Sequence, residues 1–293
     1  MPRSSRPSRA PRRGRGGEVI AVANQKGGVA KTTTVVNLGA ALSERGLRVL
    51  AVDLDPQGSL TFSLGFDPDE LEPTMHDVLL GKVALTDAIV AHAEMDLAPA
   101  TIDLAGGEVA LLSRTGREHA LRSQLDEVRG GYDVILVDCP PSLGVLTLNG
   151  LTAADRVLVP LQCETLSHRA VAQLLDTIAD VQRLTNRGLQ VAGLVATLFD
   201  PRTRHAREVL ADVQTRYGVP LLGVPVRKSV RFAEAPYAGR SILAFAGSTP
   251  GAAAYRVLAA ELVGADVDPA LREAAGGLPE DLVEAGGDGQ GQP

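Results

Sequence analysis

Between Asn24 and Thr34 the chain reads Asn-Gln-Lys-Gly-Gly-Val-Ala-Lys-Thr-Thr-Thr, directly after the apolar run Val19–Ala23. A strand that stops at a glycine pair and restarts as a helix leaves main-chain N–H groups aimed at one spot, with the helix dipole behind them. Phosphate is the natural occupant of such a spot. The expected cradle is Gly27, Gly28, Val29, Ala30, Lys31, Thr32 and Thr33. In this pattern Lys31 reaches the β- and γ-phosphates and the Thr32 hydroxyl sits on Mg²⁺. Lys26 is a further cation beside them. The usual spacing G-x-x-x-x-G-K-[ST] is altered, because Gln25 and Ala30 stand at its two glycine positions while Gly27 and Gly28 lie between them.

Two further stretches carry acids suited to the same chemistry. Val-Asp-Leu-Asp-Pro-Gln follows the apolar run Val49–Val52, so Asp53 and Asp55 stand where that strand ends. Side chains i and i+2 of a strand share a face. The run Val134–Val137 closes on Asp138. Hydrolysis of a γ-phosphate needs a positioned water opposite the leaving group and cations around the equatorial oxygens, and carboxylates at strand ends can serve both needs.

The elements that must position these residues are legible as alternation. Runs rich in branched residues occur at Val19–Ala23, Val49–Val52, Val134–Val137, Val157–Leu161 and Val191–Leu198, with helical patterns near 32–45, 104–129, 167–186, 203–216 and 250–263. Continuous apolar runs mark strands buried on both faces, the habit of parallel sheets. The expected fold is therefore α/β, a doubly wound, mostly parallel sheet with helices on both faces and ligands at the carboxyl ends of the strands.

Composition bounds the rest. Residues 1–17 hold six arginines and no acid, which reads as a disordered arm that either contacts nucleic acid or merely solubilises the chain. Residues 265–293 hold seven acids against Arg272 and read as a disordered acidic tail, leaving 18–264 as one domain. The tails cancel, so that domain carries the formal net charge of −6, and any DNA contact must come from a local patch. Such a patch lies between Asp200 and Arg231, where Arg202, Arg204, Arg207, Arg216, Arg227, Lys228 and Arg231 face Asp200, Glu208 and Asp212. No apolar run approaches the roughly 18 residues that span a bilayer. Cys139 and Cys163 form no disulfide framework or zinc spacing and read as small buried apolar residues of a cytoplasmic protein.

Together these motifs resemble the ParA/MinD group of ATPases, whose deviant phosphate loop is K-G-G-x-x-K-[ST], and in detail the ParA branch of DNA-partition ATPases. The likeness spans about 18–263, through Asp-Pro-Gln at 55–57, the D-x-P-P-S segment at 138–142 leading to Asn149, Asp-Pro-Arg-Thr at 200–203, Val-Arg-Phe-Ala-Glu-Ala-Pro at 230–236 and Thr-Pro-Gly at 249–251. It implies a P-loop ATPase that uses ATP and Mg²⁺, with Lys26 crossing to a partner subunit's nucleotide in an ATP-dependent homodimer. Catalysis would rest on Lys26, Lys31 and Asp55, the last orienting the attacking water. The metal would be held by Thr32, Asp53 and Asp138. Arg202 and Arg231 would bind double-stranded DNA without sequence preference, on the nucleoid, and a ParB-like centromere-binding protein would stimulate slow turnover in chromosome or plasmid partition. Two departures stand out: Ala30 replaces the family's usual glycine, and Arg227-Lys228-Ser229 replaces the P-R-N that helps hold adenine. Alternatives in other classes are a small-molecule ligase of the dethiobiotin synthetase kind and a positioning ATPase with a non-DNA cargo. The acidic tail, lacking a basic amphipathic stripe, argues against membrane anchoring.

Overall fold

A computed structural model describes residues 16–164 and 167–277. Six strands, β1 (Glu18–Val22), β2 (Val49–Asp53), β3 (Asp96–Ala98), β4 (Val134–Asp138), β5 (Arg156–Gln162) and β6 (Gln190–Thr197), form one parallel sheet in the order β3-β2-β4-β1-β5-β6. The expected doubly wound parallel α/β sheet is what forms. Successive side chains of β1 enter opposite cores. Val19 and Ala21 pack with the helices Leu104–Leu112, Ala120–Val128, Val145–Ala153, Ser167–Leu184 and Arg204–Tyr217. Ile20 and Val22 pack with α1 (Lys31–Glu44) and the helix Pro250–Leu262. Burial on both faces is why these strands read as unbroken apolar runs.

The register matters more than the outline. Val22 pairs with Asp138, and Asp53 with Asp138, so β1, β2 and β4 close level with one another. The phosphate loop and both strand-end acids are thereby delivered to one edge. Beyond β6 the segment from Pro220 to Lys228 runs alongside as an irregular extension, Phe199 donating to the Val226 carbonyl at 3.0 Å and Lys228 to the Phe199 carbonyl at 3.3 Å. It brings the two arginine-bearing turns to the same sheet margin.

Several elements differ from expectation for local reasons. The helical pattern at 104–129 is two helices, broken where Gly116 takes a left-handed φ of 68° and opens a 3₁₀ turn over Arg117–His119. The helix Val145–Ala153 was not expected because nearly every face of it is buried, leaving no amphipathic period. Strand β3, only three residues long, carries too little pattern to see. The acidic tail is the clearest correction. Residues 265–277 are ordered, with a helix Pro269–Ala274 capped by Asp268 and tied by Arg272 to Glu261 at 2.5 Å. Charge counting missed that Val267, Leu271 and Ala275 add apolar surface to the second core. The remainder of that tail and residues 1–15 of the arginine-rich arm lie outside the described residues.

Asn149 ties the break in the 104–128 region to the helix that follows β4. Fully buried, it accepts from Leu121 N–H at 3.0 Å and donates to the carbonyls of Arg117 and Val145, both at 2.8 Å. Stranding buried partners costs about 1–3 kcal/mol each. Asn149→Leu is expected to lower unfolding free energy by about 3 kcal/mol in urea titration.

Candidate functional site

The phosphate loop is held open by its own neighbours. Asn24 Oδ1 accepts from Lys26 N–H at 2.9 Å while its Nδ2 donates to the Pro160 carbonyl at 2.7 Å, tying the loop entry to β5. Gly28 and Ala30 both have left-handed φ, 74° and 64°, and between them Val29 is buried. Its carbonyl accepts from Thr197 Oγ1 at 2.9 Å. Gly27 and Gly28 face solvent. Among the described residues the N–H groups of Gly28, Ala30, Lys31, Thr32 and Thr33 meet no protein acceptor. A run of free donors at a helix start is an anion site by construction.

Around that loop the predicted side chains converge. Thr32 Oγ1 donates to Asp138 Oδ2 at 2.6 Å, and the other oxygen, Oδ1, is buried without a partner. Lys31 is buried and its Nζ reaches the Lys26 carbonyl at 3.2 Å. Burial lowers its pKa, opposed by Asp138, Cys139 and Asp55. Burial likewise raises Asp138 well above the carboxylate range, with Asp53 pushing the same way and Thr32 and Lys31 opposing. A buried carboxylate with an orphan oxygen beside a threonine hydroxyl suits Mg²⁺, which takes few protein ligands and keeps water and phosphate oxygens. Among the described residues no cluster of three His, Cys, Asp or Glu side chains offers a metal cage of another kind.

Asp53 and Asp55 are neighbours with different work. Asp55 is half-buried and caps its own turn, accepting from Gln57 N–H at 3.0 Å. Asp53 is fully buried, and its oxygens accept from Asp55 N–H at 3.0 Å, Thr61 N–H at 3.0 Å and Thr61 Oγ1 at 2.9 Å. Thr61 Oγ1 in turn accepts from Ala100 N–H at 3.1 Å. Asp53 therefore fixes the turn that carries Asp55 while standing beside Asp138 in the sheet. Sequence reading missed Thr61, which no local motif marks. It also missed Glu164, whose carboxylate meets Lys26 Nζ at 2.5 Å, with Gln162 Oε1 at 3.4 Å. Lys26 is thus held within its own subunit in the single chain.

The remaining predicted residues lie apart from this cluster. Arg202, on the turn after β6, is well exposed and makes a bidentate pair with Asp200, both contacts at 3.0 Å. Arg231 pairs with Glu234 at 2.8 Å. Both cysteines are fully or nearly buried, and burial pushes the Cys139 thiol up and the Cys163 thiol up to about 12. They are not nucleophiles near neutral pH.

A family profile described as an AAA domain matches residues 17–191. Over 248 residues the chain is 42% identical to the sporulation initiation inhibitor protein Soj of Bacillus subtilis, covering 84% of this chain and 98% of that one. The chromosome partitioning protein ParA of Caulobacter vibrioides is 41% identical over 254 residues, 85% and 95% of the two chains. The chain belongs to the ParA family of partition ATPases. Membership places it among Mg²⁺-dependent P-loop ATP hydrolases. A Mycobacterium smegmatis structure named cobyrinic acid a,c-diamide synthase, with an ATP analogue and magnesium bound, superposes with a TM-score of 0.75 at 54% identity, covering 84% of this chain and 94% of that one.

Ala30 now has a physical reading. Its left-handed conformation is the one that glycine adopts without strain, and an alanine there is disfavoured by roughly 1–2 kcal/mol. Ala30→Gly is expected to raise stability by up to about 1 kcal/mol in urea unfolding, without weakening ATP-analogue binding by calorimetry.

The buried Asp53 makes a pH prediction. Its pKa rises from 3.8 to about 7, chiefly by burial, with the Thr61 and Asp55 donors opposing and the Asp55 charge adding to the rise. The folded state then holds this proton more tightly than the unfolded state, so the stability it contributes is present at acid pH and lost as pH rises through that window. Asp53→Asn is expected to give a shallower decline in urea midpoint between about pH 5 and 7.

Proposed function

We propose that this ATPase is a nucleotide-dependent DNA-binding switch in chromosome or plasmid partition. ATP binding pairs two chains, the paired chains hold double-stranded DNA through the Arg202 and Arg231 turns, and hydrolysis releases them. What supports this reading is a phosphate loop with strand-end acids at one edge of the sheet, together with exposed arginines on the turns beyond β6, in a domain whose sequence is otherwise acidic. A site for a small metabolite has no use for such a margin.

The residues divide the work by position. Free N–H groups from Gly28 to Thr33 and the Lys31 ammonium take the phosphates, and Thr32 and Asp138 hold Mg²⁺, with Asp53 beside them. The ion they would hold would supply charge neutralisation for the phosphates. Asp55, fixed through Asp53, aims a water at the γ-phosphorus. The water oxygen bonds to phosphorus as the bond to the β-γ bridging oxygen breaks, its electron pair staying on ADP and the water's proton passing to phosphate or solvent, which leaves ADP and phosphate. Lys26 leaves Glu164 and reaches the partner's nucleotide. A centromere-binding protein of the ParB kind is the proposed activator. Among the described residues no helix is long and apolar enough to cross a membrane.

A second reading is favoured by one observation, the name carried by the 54%-identical Mycobacterium smegmatis structure. A diamide synthase acts on a carboxylic acid and would need no exposed arginines on the turns beyond β6. One preparation decides between them: ATPase rate and DNA retardation measured with ATP, ADP and no nucleotide. Expected results are DNA binding that requires ATP, loss of nucleotide binding in Lys31→Ala, and retained ATP-dependent dimers with turnover lowered about 100-fold or more in Asp55→Ala. Arg231→Ala should weaken DNA binding alone. DNA binding indifferent to nucleotide, or turnover that requires a carboxylic-acid metabolite and ignores DNA, sinks the switch.

A further inference from the structure

The phosphate loop touches the rest of the molecule through few polar contacts, and one of them leads directly to the basic margin. Thr197, the last residue of β6, is 1% exposed and donates its hydroxyl to the Val29 carbonyl, a contact bridging 168 residues of sequence. In a trans peptide the C=O of one residue and the N–H of the next point in opposite directions. Holding the Val29 carbonyl toward Thr197 therefore aims the Ala30 N–H the other way, where among the described residues it has no acceptor.

Leu198 follows Thr197 immediately. Its φ is 51°, and among the described residues Ala30 and Leu198 are the two non-glycine residues with left-handed φ. They flank the two ends of one hydrogen bond. Such conformations are disfavoured and persist where surrounding contacts over-determine them. Here the contacts after Leu198 are Phe199 N–H on the Val226 carbonyl and Lys228 N–H on the Phe199 carbonyl, which fasten both arginine-bearing segments together. The turn then closes with Arg202 N–H and Thr203 N–H on Asp200, at 3.0 and 3.2 Å.

We propose that Thr197 is a positioning residue that couples the phosphate loop to the Arg202 turn, with Leu198 as the strained joint between them. Phosphate on the Ala30 N–H polarises the Val29–Ala30 peptide and strengthens the bond its carbonyl accepts. That pins Thr197, and through Leu198 the order of the Asp200–Thr203 turn follows. Coupling of this kind is reciprocal, so a ligand on the turn changes nucleotide affinity by the same factor. Its DNA consequence rests on the partition reading above; the coupling itself does not.

The test uses the full-length chain and its Thr197→Val, Thr197→Ser and Leu198→Gly variants with ATPγS and Mg²⁺. Amide hydrogen exchange over residues 198–204 is expected to slow by at least about threefold on nucleotide binding in the wild type and in Thr197→Ser. Thr197→Val, measured at an ATPγS concentration that saturates it, should lose that response. Leu198→Gly, which removes the strain without disturbing a core contact, should lose at least half of the response. A wild type with no response, a Thr197→Val variant with the wild-type response, or, if that variant does not fold, an unaltered Leu198→Gly overturns the coupling. Retardation of a labelled duplex is read in parallel, and the ratio of duplex affinity with ATP to duplex affinity with ADP should fall at least about fivefold in Thr197→Val. A wild type that binds no duplex in any nucleotide state removes the partition reading, and the exchange data still decide the coupling.

Discussion

A loop that binds phosphate with its main chain must keep a series of N–H groups rigidly aimed and yet unpaired, although unpaired donors are what folded chains ordinarily avoid. The rest of this structure answers to that requirement. The donors stay free because their chain is tethered by its other atoms: Asn24 to Pro160, the Val29 carbonyl to Thr197, the Lys26 carbonyl to Lys31, and the Ala30 carbonyl to the first turn of α1. Each tether ends on a different strand or on α1, so the sheet supplies the rigidity and the loop supplies the open donors. Ala30 is tolerated because these tethers hold it in a conformation it would not choose alone.

The same edge shows why level strand ends matter. Asp53 and Asp138 are Cα partners across β2 and β4, two buried carboxyls side by side; burial raises both, and the Asp53 charge pushes Asp138 further. Without a cation this arrangement is costly to ionise. Three donors offset part of that cost at Asp53, whereas Asp138 has Thr32 and keeps one oxygen unspent. The asymmetry separates the two acids: one is used up in holding the Asp55 turn, the other is available to a ligand.

Most of the fold was legible because parallel strands buried on two faces announce themselves as apolar runs, and the loop and strand-end acids were legible because they are local in sequence. What escaped was relational. Thr61 and Glu164 acquire their roles only through partners that the sheet brings near, at Asp53 and Lys26. Thr197 lies within the apolar run Val191–Leu198. Its hydroxyl has meaning only once β6 is known to end beside Val29. The order in 265–277 escaped because seven acids in that tail outweighed a few apolar residues in the reading, while in the fold those apolar residues find an existing core to join.

Electrostatics explains how an acidic domain can still present a basic margin. Arg202, Arg204 and Arg231 each have an acid within the same turn or helix, at exposures where solvent screening leaves an ion pair weak. Such pairs hold the guanidinium groups in place without committing them, since a phosphate can replace the carboxylate at little cost. The pairing of Lys26 with Glu164 has the same character, one partner about half exposed and the other open on one side. Both the lysine proposed to cross to a second subunit and the arginines proposed to meet DNA are therefore held by weak, exchangeable carboxylates. The buried contacts of the loop, by contrast, run through neutral hydroxyls and carbonyls that ionic strength does not screen. Salt should thus act on the margin and on the Lys26–Glu164 pair far more than on the fold that carries them, because screening reaches the exposed charges and leaves the tethers of the loop intact.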